Sequence, residues 1–375
     1  MKDLYQNTLK KIADSSNGIK TISSITAILA GLLVGLIIML IANPAGAFPG
    51  FLTILAGGFN SGLRSMGDTL YYGVPIVLTG LSVAFAFRTG LFNIGATGQL
   101  TVGAFAAVYI GYNWTFLGPL HWVVALIGGM VAGAIWGAIP GLLKAYRNVH
   151  EVVATIMLNY IAMYLVRLMI LTFIYNSASN EAHSPAESAR LPIWFLDGLF
   201  PRSQVNIGIF IAILAVAVIH IILNKTTFGY ELKSVGFNRS AAKYAGMNEK
   251  RNIVFSMTIA GSLAGLAGAV MFLVSGKNME PVNVLLQEGF TGIAIALLGL
   301  SAPIGVFLAG IFYGSLQQGG YYLQSFDFEP QIIDIIIAVI IYFAALSLFM
   351  QRFVADFISK QINKDVEIAE GNESA

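Results

Sequence analysis

The 375-residue chain has no cysteine, which excludes disulfides and thiolate metal sites. Only 11% of its residues are charged, against 57% hydrophobic, whereas about 25% charge is usual for a soluble domain. The four histidines, at 121, 150, 183 and 220, show no ligand spacing such as HxxxH, so metal chemistry is not expected. There is no phosphate loop. Gly276-Lys277 is followed by Asn278 and lacks the upstream glycine, so the chain cannot cradle ATP in that way. No Ser-His-Asp, HExxH or paired-carboxylate arrangement supports an intramembrane enzyme. The mean hydropathy of +0.76 makes this a membrane protein.

Apolar runs give ten candidate helices, at 22–42, 70–87, 92–112, 121–143, 151–175, 205–223, 252–275, 288–300, 304–318 and 331–350. The first ends near Ala45-Gly46-Ala47, a superficial cleavage signal. It is nonetheless long enough to span, and a lysine-rich inner end does the targeting uncleaved. With a cytoplasmic N-terminus, sixteen of the 21 Lys and Arg residues fall on the inner side. The positive-inside rule therefore places both termini in the cytoplasm. The expected organisation is an N-terminal segment 1–21, a membrane domain 22–350 and an acidic, disordered tail 351–375. The segment 44–68 has an open boundary, and the loop 176–204 is the longest outer one.

Glycine occurs 40 times, mostly in spans, where it permits close helix approach. Gly129, Gly133, Gly137 and Gly141 share one face of the fourth span, and Gly261 and Gly265 one face of the seventh. Two stretches differ because glycines and polar residues interrupt an apolar run: Phe92 to Leu100 and Gln287 to Gly299. Broken backbone at membrane depth is tolerated only where protein or a water-filled cavity satisfies it, and paired interruptions point to a substrate path. Asn93, Thr97, Gln99, Gln287 and Thr291 either line such a path or make ordinary interhelical hydrogen bonds. Glu288 is expected at an outer boundary, leaving the bilayer centre without a carboxylate. That weighs against the proton-driven form of an ion-coupled secondary transporter, the alternative from another class, although carbonyls can hold sodium.

The inner loop 224–251 is basic. Within it Asn238 is a good N-cap, Arg239 to Ala245 contains helix formers, and Gly246 suits the left-handed residue past the end. Ala241, Ala242 and Ala245 share one face, Arg239 and Lys243 another. A topology signal needs no capped helix, and a lipid-binding helix would carry Leu, Phe or Trp. The small face suits a cytoplasmic partner protein.

Gly90 to Phe105, Phe228 to Asn248 and Gly289 to Gly310 together resemble the permease subunits of bacterial ABC importers for branched-chain amino acids, simple sugars and nucleosides. The resemblance covers about residues 65–350. It implies an all-α, vitamin-B12-permease-like fold of ten helices with two related halves. It also implies that Asn238 to Gly246 is the coupling helix seated on a separate ATPase, which binds the ATP and magnesium; this chain carries no cofactor. The sequence is most similar to the larger permeases of nucleoside importers, which work with a second, different permease and a substrate-binding lipoprotein. A simple-sugar substrate is the alternative.

Overall fold

The structure, a computed structural model, describes residues 16–346. The expected tail 351–375 and most of segment 1–21 lie outside them. By contact the chain divides into two units, one formed by its two ends and one by residues 54–321.

In the first unit α1 (Ser16–Ala42) packs along α13 (Pro330–Ala345). A Cβ on Gly31 would stand 2.9 Å from the Ile340 backbone, so the helices touch there without side chains between them. Asn43, in the break before α2 (Pro44–Ala56), donates to the Phe326 carbonyl at 3.0 Å. The open boundary at 44–68 is thus a helix followed by a 3-10 turn, not a span.

The second unit is built from α3 (Leu63–Arg88), α4 (Ala96–Asn113), α5 (His121–Arg147), α6 (Glu151–Met169), α7 (Gly208–Lys225), α8 (Thr227–Phe237), α9 (Arg239–Tyr244), α10 (Glu249–Phe272), α11 (Gln287–Leu298) and α12 (Pro303–Leu323). Its centre is the crossing of α4, α5 and α10. The expected glycine faces meet there. A Cβ on Gly133 would lie 2.6 Å from the Gly265 Cα, and one on Gly137 2.9 Å from the Gly261 Cα. Lipid tails are as apolar as leucine, so this backbone proximity supplies dispersion contact where no hydrophobic drive exists.

Among the described residues, six segments are long and apolar enough to cross a membrane: Ile25–Ala42, Leu63–Arg88, Thr115–Arg147, Glu151–Ile174, Gly208–Lys225 and Glu249–Phe272. The remaining four expected spans correspond to α4, α11, α12 and α13. Of these, α11 has only 12 residues, about 18 Å, and cannot cross a hydrocarbon core of about 30 Å alone.

The loop after α6 is ordered. A π turn at Ile170–Ile174 leads into a short hairpin, β1 (Tyr175–Asn176) with β2 (Glu181–Ala182), pairing Tyr175 with Ala182. The loop backbone then joins three other segments: Ala182 N–H donates to Met279, Ala186 to Gly111 and Leu191 to Leu273, each at 2.8 Å. It forms a cover over the end of the bundle opposite α9.

Candidate functional site

Two regions carry the chemistry, at opposite ends of α10. At its N-terminal end three successive helices are capped by side chains. Thr226 accepts from the Gly229 amide at 3.1 Å, Asn238 from Ala241 at 3.0 Å and Asn248 from Arg251 at 3.1 Å. Gly246, at φ +83°, closes α9, with Met247 N–H donating back to the Ala242 carbonyl at 3.0 Å. Six residues make a marginal helix alone, so these caps and the packing beneath define it.

That packing differs from a flat alanine face. Ala242 is buried against Leu91, Val235 and Ile253, and it anchors α9 to the bundle. Ala241 and Ala245 are exposed, as is Lys243. Two aromatic residues are the most prominent exposed groups: Phe237 at 91% and Tyr244 at 94%. Attention to small side chains missed them, although a Phe and a Tyr seven positions apart around a capped turn is a signal the sequence contains. Burying each would contribute about 1.5–3 kcal/mol, so leaving both in water marks a surface that awaits a partner. Beside Phe237 lies a cavity of about 290 Å³, lined by Phe87, Arg88, Lys233, Gly236, Leu300 and Ser301. Arg88 Nε holds the Ser301 carbonyl at 3.0 Å, fixing a turn in which Leu300 and Ser301 both have positive φ.

Deeper in the bundle the two interrupted stretches meet. The first turn of α4 and that of α11 touch, and a Cβ on Gly289 would lie 2.5 Å from the Thr97 backbone nitrogen. Thr97 is fully buried, and its hydroxyl has no hydrogen-bond partner among the described residues. Asn93 and Gln99 form a closed amide pair: Asn93 Nδ2 donates to Gln99 Oε1 at 2.9 Å, and Gln99 Nε2 donates to Asn93 Oδ1 at 3.1 Å. Both are buried. Thr291 is half-buried and donates to the Gln287 carbonyl at 3.1 Å, while Gln287 is exposed.

Asn159, which the sequence did not single out, mends the break before α4. Its Oδ1 accepts from the Gly98 amide at 2.9 Å and its Nδ2 donates to the Ile94 carbonyl at 3.0 Å. Each orphaned backbone group would cost about 1–3 kcal/mol. Asn159→Leu is therefore expected to lower the thermal midpoint of the detergent-solubilised protein by several degrees; an unchanged midpoint contradicts this role.

Glu288 is not at an outer boundary. Its backbone carbonyl accepts from the Thr79 hydroxyl at 3.0 Å, and Thr79 lies about 24 Å along α3. The chain between α10 and α11 descends into the bundle, so α11 is a half-helix whose N-terminus sits at depth. Above it is a cavity of about 430 Å³ whose walls include Thr101, Met271, Lys277, Asn278, Val284 and Glu288. A second, of about 200 Å³, shares Met271, Lys277 and Glu288 and adds Tyr71, Tyr72, Tyr313 and Gln317. Tyr71 and Tyr72 sit edge to face at 5.3 Å. Burial lowers the pKa of the Lys277 ammonium, a pull that the Glu288 carboxylate opposes. Asn93, Thr97, Gln99, Gln287 and Thr291 are not among the lining residues of either cavity.

The family described as branched-chain amino acid transport system / permease component matches residues 65–345. The guanosine ABC transporter permease protein NupP of Bacillus subtilis is 41% identical over 343 residues, covering 89% of this chain and 95% of its own. The nucleoside ABC transporter permease protein NupB of Lactococcus lactis is 35% identical, covering 88% and 92%. The glucose ABC transporter permease protein TsgB13 of Haloferax volcanii is 30% identical, covering 76% and 77%. No solved structure matches. By these matches the helical bundle, with its half-helix at a half-open cavity and its capped turn exposed at the opposite end, is a multi-pass membrane protein that belongs to the permease-component family of branched-chain amino acid-type ABC transport systems, a subunit that does not itself hydrolyse ATP.

Proposed function

We propose that this chain forms the translocation path for nucleosides in a bacterial ABC importer. The observation that carries this is the high identity, over nearly the whole chain, to permeases named for guanosine and nucleosides. The glucose permease supports a simple-sugar substrate as the second reading, at lower identity and coverage. The fold proposed is the ten-span, vitamin-B12-permease-like type II importer fold with two related halves. Two half-depth helix starts, at Ala96 and Gln287, favour it.

The docking element for the ATPase is α9 with its caps, Asn238 to Gly246, presenting Ala241, Lys243, Ala245 and the flanking Phe237 and Tyr244. A second, different permease completes the path, and an external binding lipoprotein delivers the solute. Gln287, exposed, and Thr291, half-buried, in the first two turns of α11, are the residues of this set proposed to face that path. The amide pair Asn93–Gln99 and Thr97 hold the facing helix start in place.

Both termini face the cytoplasm in this reading. A cysteine at Lys243 should resist an impermeant thiol reagent in intact cells, and one at Ser179, exposed in the β1–β2 hairpin, should react. The reverse pattern overturns the orientation. The substrate is tested by uptake of radiolabelled adenosine or uridine against ribose in cells with and without this chain.

A further inference from the structure

Charged groups lining a half-open cavity within a membrane bundle are costly unless paired or used. Of the five charged residues around the larger cavity, two are held by neutral hydrogen-bond partners. Arg167 Nε donates to the Pro281 carbonyl at 3.1 Å, and Glu181 Oε2 accepts from Asn278 at 2.9 Å, which together pin the descending segment. Glu280 is exposed. Lys277 and Glu288 remain. Both line both cavities, and neither side chain makes a hydrogen bond or ion pair with the described residues; the Lys277 ammonium lies 5.4 Å from the centre of the Phe272 ring.

The wall of the smaller cavity carries one cation and one anion, Lys277 and Glu288, so a charged solute there would leave one of them unmatched. A neutral solute rich in hydroxyls satisfies both: a carboxylate accepts from two adjacent hydroxyls, and an ammonium donates to a lone pair. The wall of the smaller cavity also includes Tyr71, Tyr72 and Tyr313, aromatic surface suited to a planar ring. The larger cavity, about 430 Å³, is of the size that binds small molecules, and the smaller, about 200 Å³, shares three of its lining residues.

We infer that these cavities form a ribonucleoside subsite, in which Glu288 accepts from the 2′- and 3′-hydroxyls, Lys277 donates to a sugar oxygen, and Tyr71 and Tyr72 line the wall against which the base lies. This rests on the nucleoside reading above. Glu288 is in the first turn of α11, so occupancy of the subsite bears directly on the half-helix whose other end meets the turn held by Arg88.

The test uses the complete importer in proteoliposomes, with initial uptake of adenosine and of 3′-deoxyadenosine, each compared with the unaltered complex. Loss of a charge-assisted hydrogen-bond pair predicts that Glu288→Gln slows adenosine about tenfold and 3′-deoxyadenosine much less, so that the preference between them collapses. Equal slowing of both, or no slowing of either, overturns the assignment. If Glu288→Gln fails to assemble, a cysteine at Val284 in this cysteine-free chain decides. Saturating adenosine should slow its modification in the assembled complex while leaving a cysteine at exposed Phe116 unaffected. Equal modification with and without adenosine overturns the subsite. An unaltered complex that carries a sugar and no nucleoside instead overturns the parent reading, independently of either variant.

Discussion

Gly265→Leu is expected to remove the folded protein from the membrane. A Cβ at this position would stand 2.8 Å from the Gly133 Cα, and the Gly129 carbonyl crowds it as well. These neighbours are backbone of α5, so no rotamer change relieves the clash, and three helices share the crossing. Overpacking a core costs about 1–3 kcal/mol when side chains can give way; here α5 and α10 must separate, and the α4 contact opens with them. Size-exclusion chromatography of a fluorescently tagged protein in mild detergent should show the monodisperse peak lost. Gly198→Ala is the control, since nothing lies within 4 Å of its added Cβ. A Gly265→Leu protein that elutes like the unaltered one would contradict the packing described for α4, α5 and α10.

The second large effect is on coupling. Replacing Phe237 and Tyr244 together by Asp should leave insertion intact, because both side chains are almost wholly exposed. Aromatic anchors at interfaces typically carry about 2 kcal/mol or more each, so the double variant should lose most of the ATPase that co-purifies with the native chain. Ala241→Arg should act in the same direction by holding the partner off the α9 backbone. Solute-stimulated ATP hydrolysis falls with the association. Retained association and transport in all of these variants would remove α9 as the docking element, whereas a variant that loses transport but keeps the ATPase would place the defect elsewhere.

Local rules made much of the fold legible. Caps and a terminal glycine specified α9 because they act over three to five residues, and Asn238, Ala241 and Gly246 stand as those rules require. The glycine faces of α5 and α10 were visible because i,i+4 periodicity survives without tertiary knowledge. What periodicity cannot give is which face meets which neighbour. Thus Ala242 points into the bundle while Phe237 and Tyr244 point out, although all lie within one short segment. The depth of Glu288 was hidden for a related reason. A descending, non-helical segment has no hydropathy signature, and the depth at which α11 begins shows in the hydrogen bond from Thr79 and the contact of Gly289 with Thr97. Likewise Asn159 is one polar residue on an apolar helix until the broken backbone at Ile94 and Gly98 is placed beside it.

The central claim, that this chain conducts nucleosides for an ATP-driven importer, is tested most directly by uptake in cells from which it alone has been deleted. Radiolabelled adenosine or uridine uptake should fall to the background of energy-depleted cells and return when the chain is supplied from a plasmid. Deletion that spares nucleoside uptake but abolishes growth on a pentose or another sugar would contradict the claim and install the sugar reading in its place.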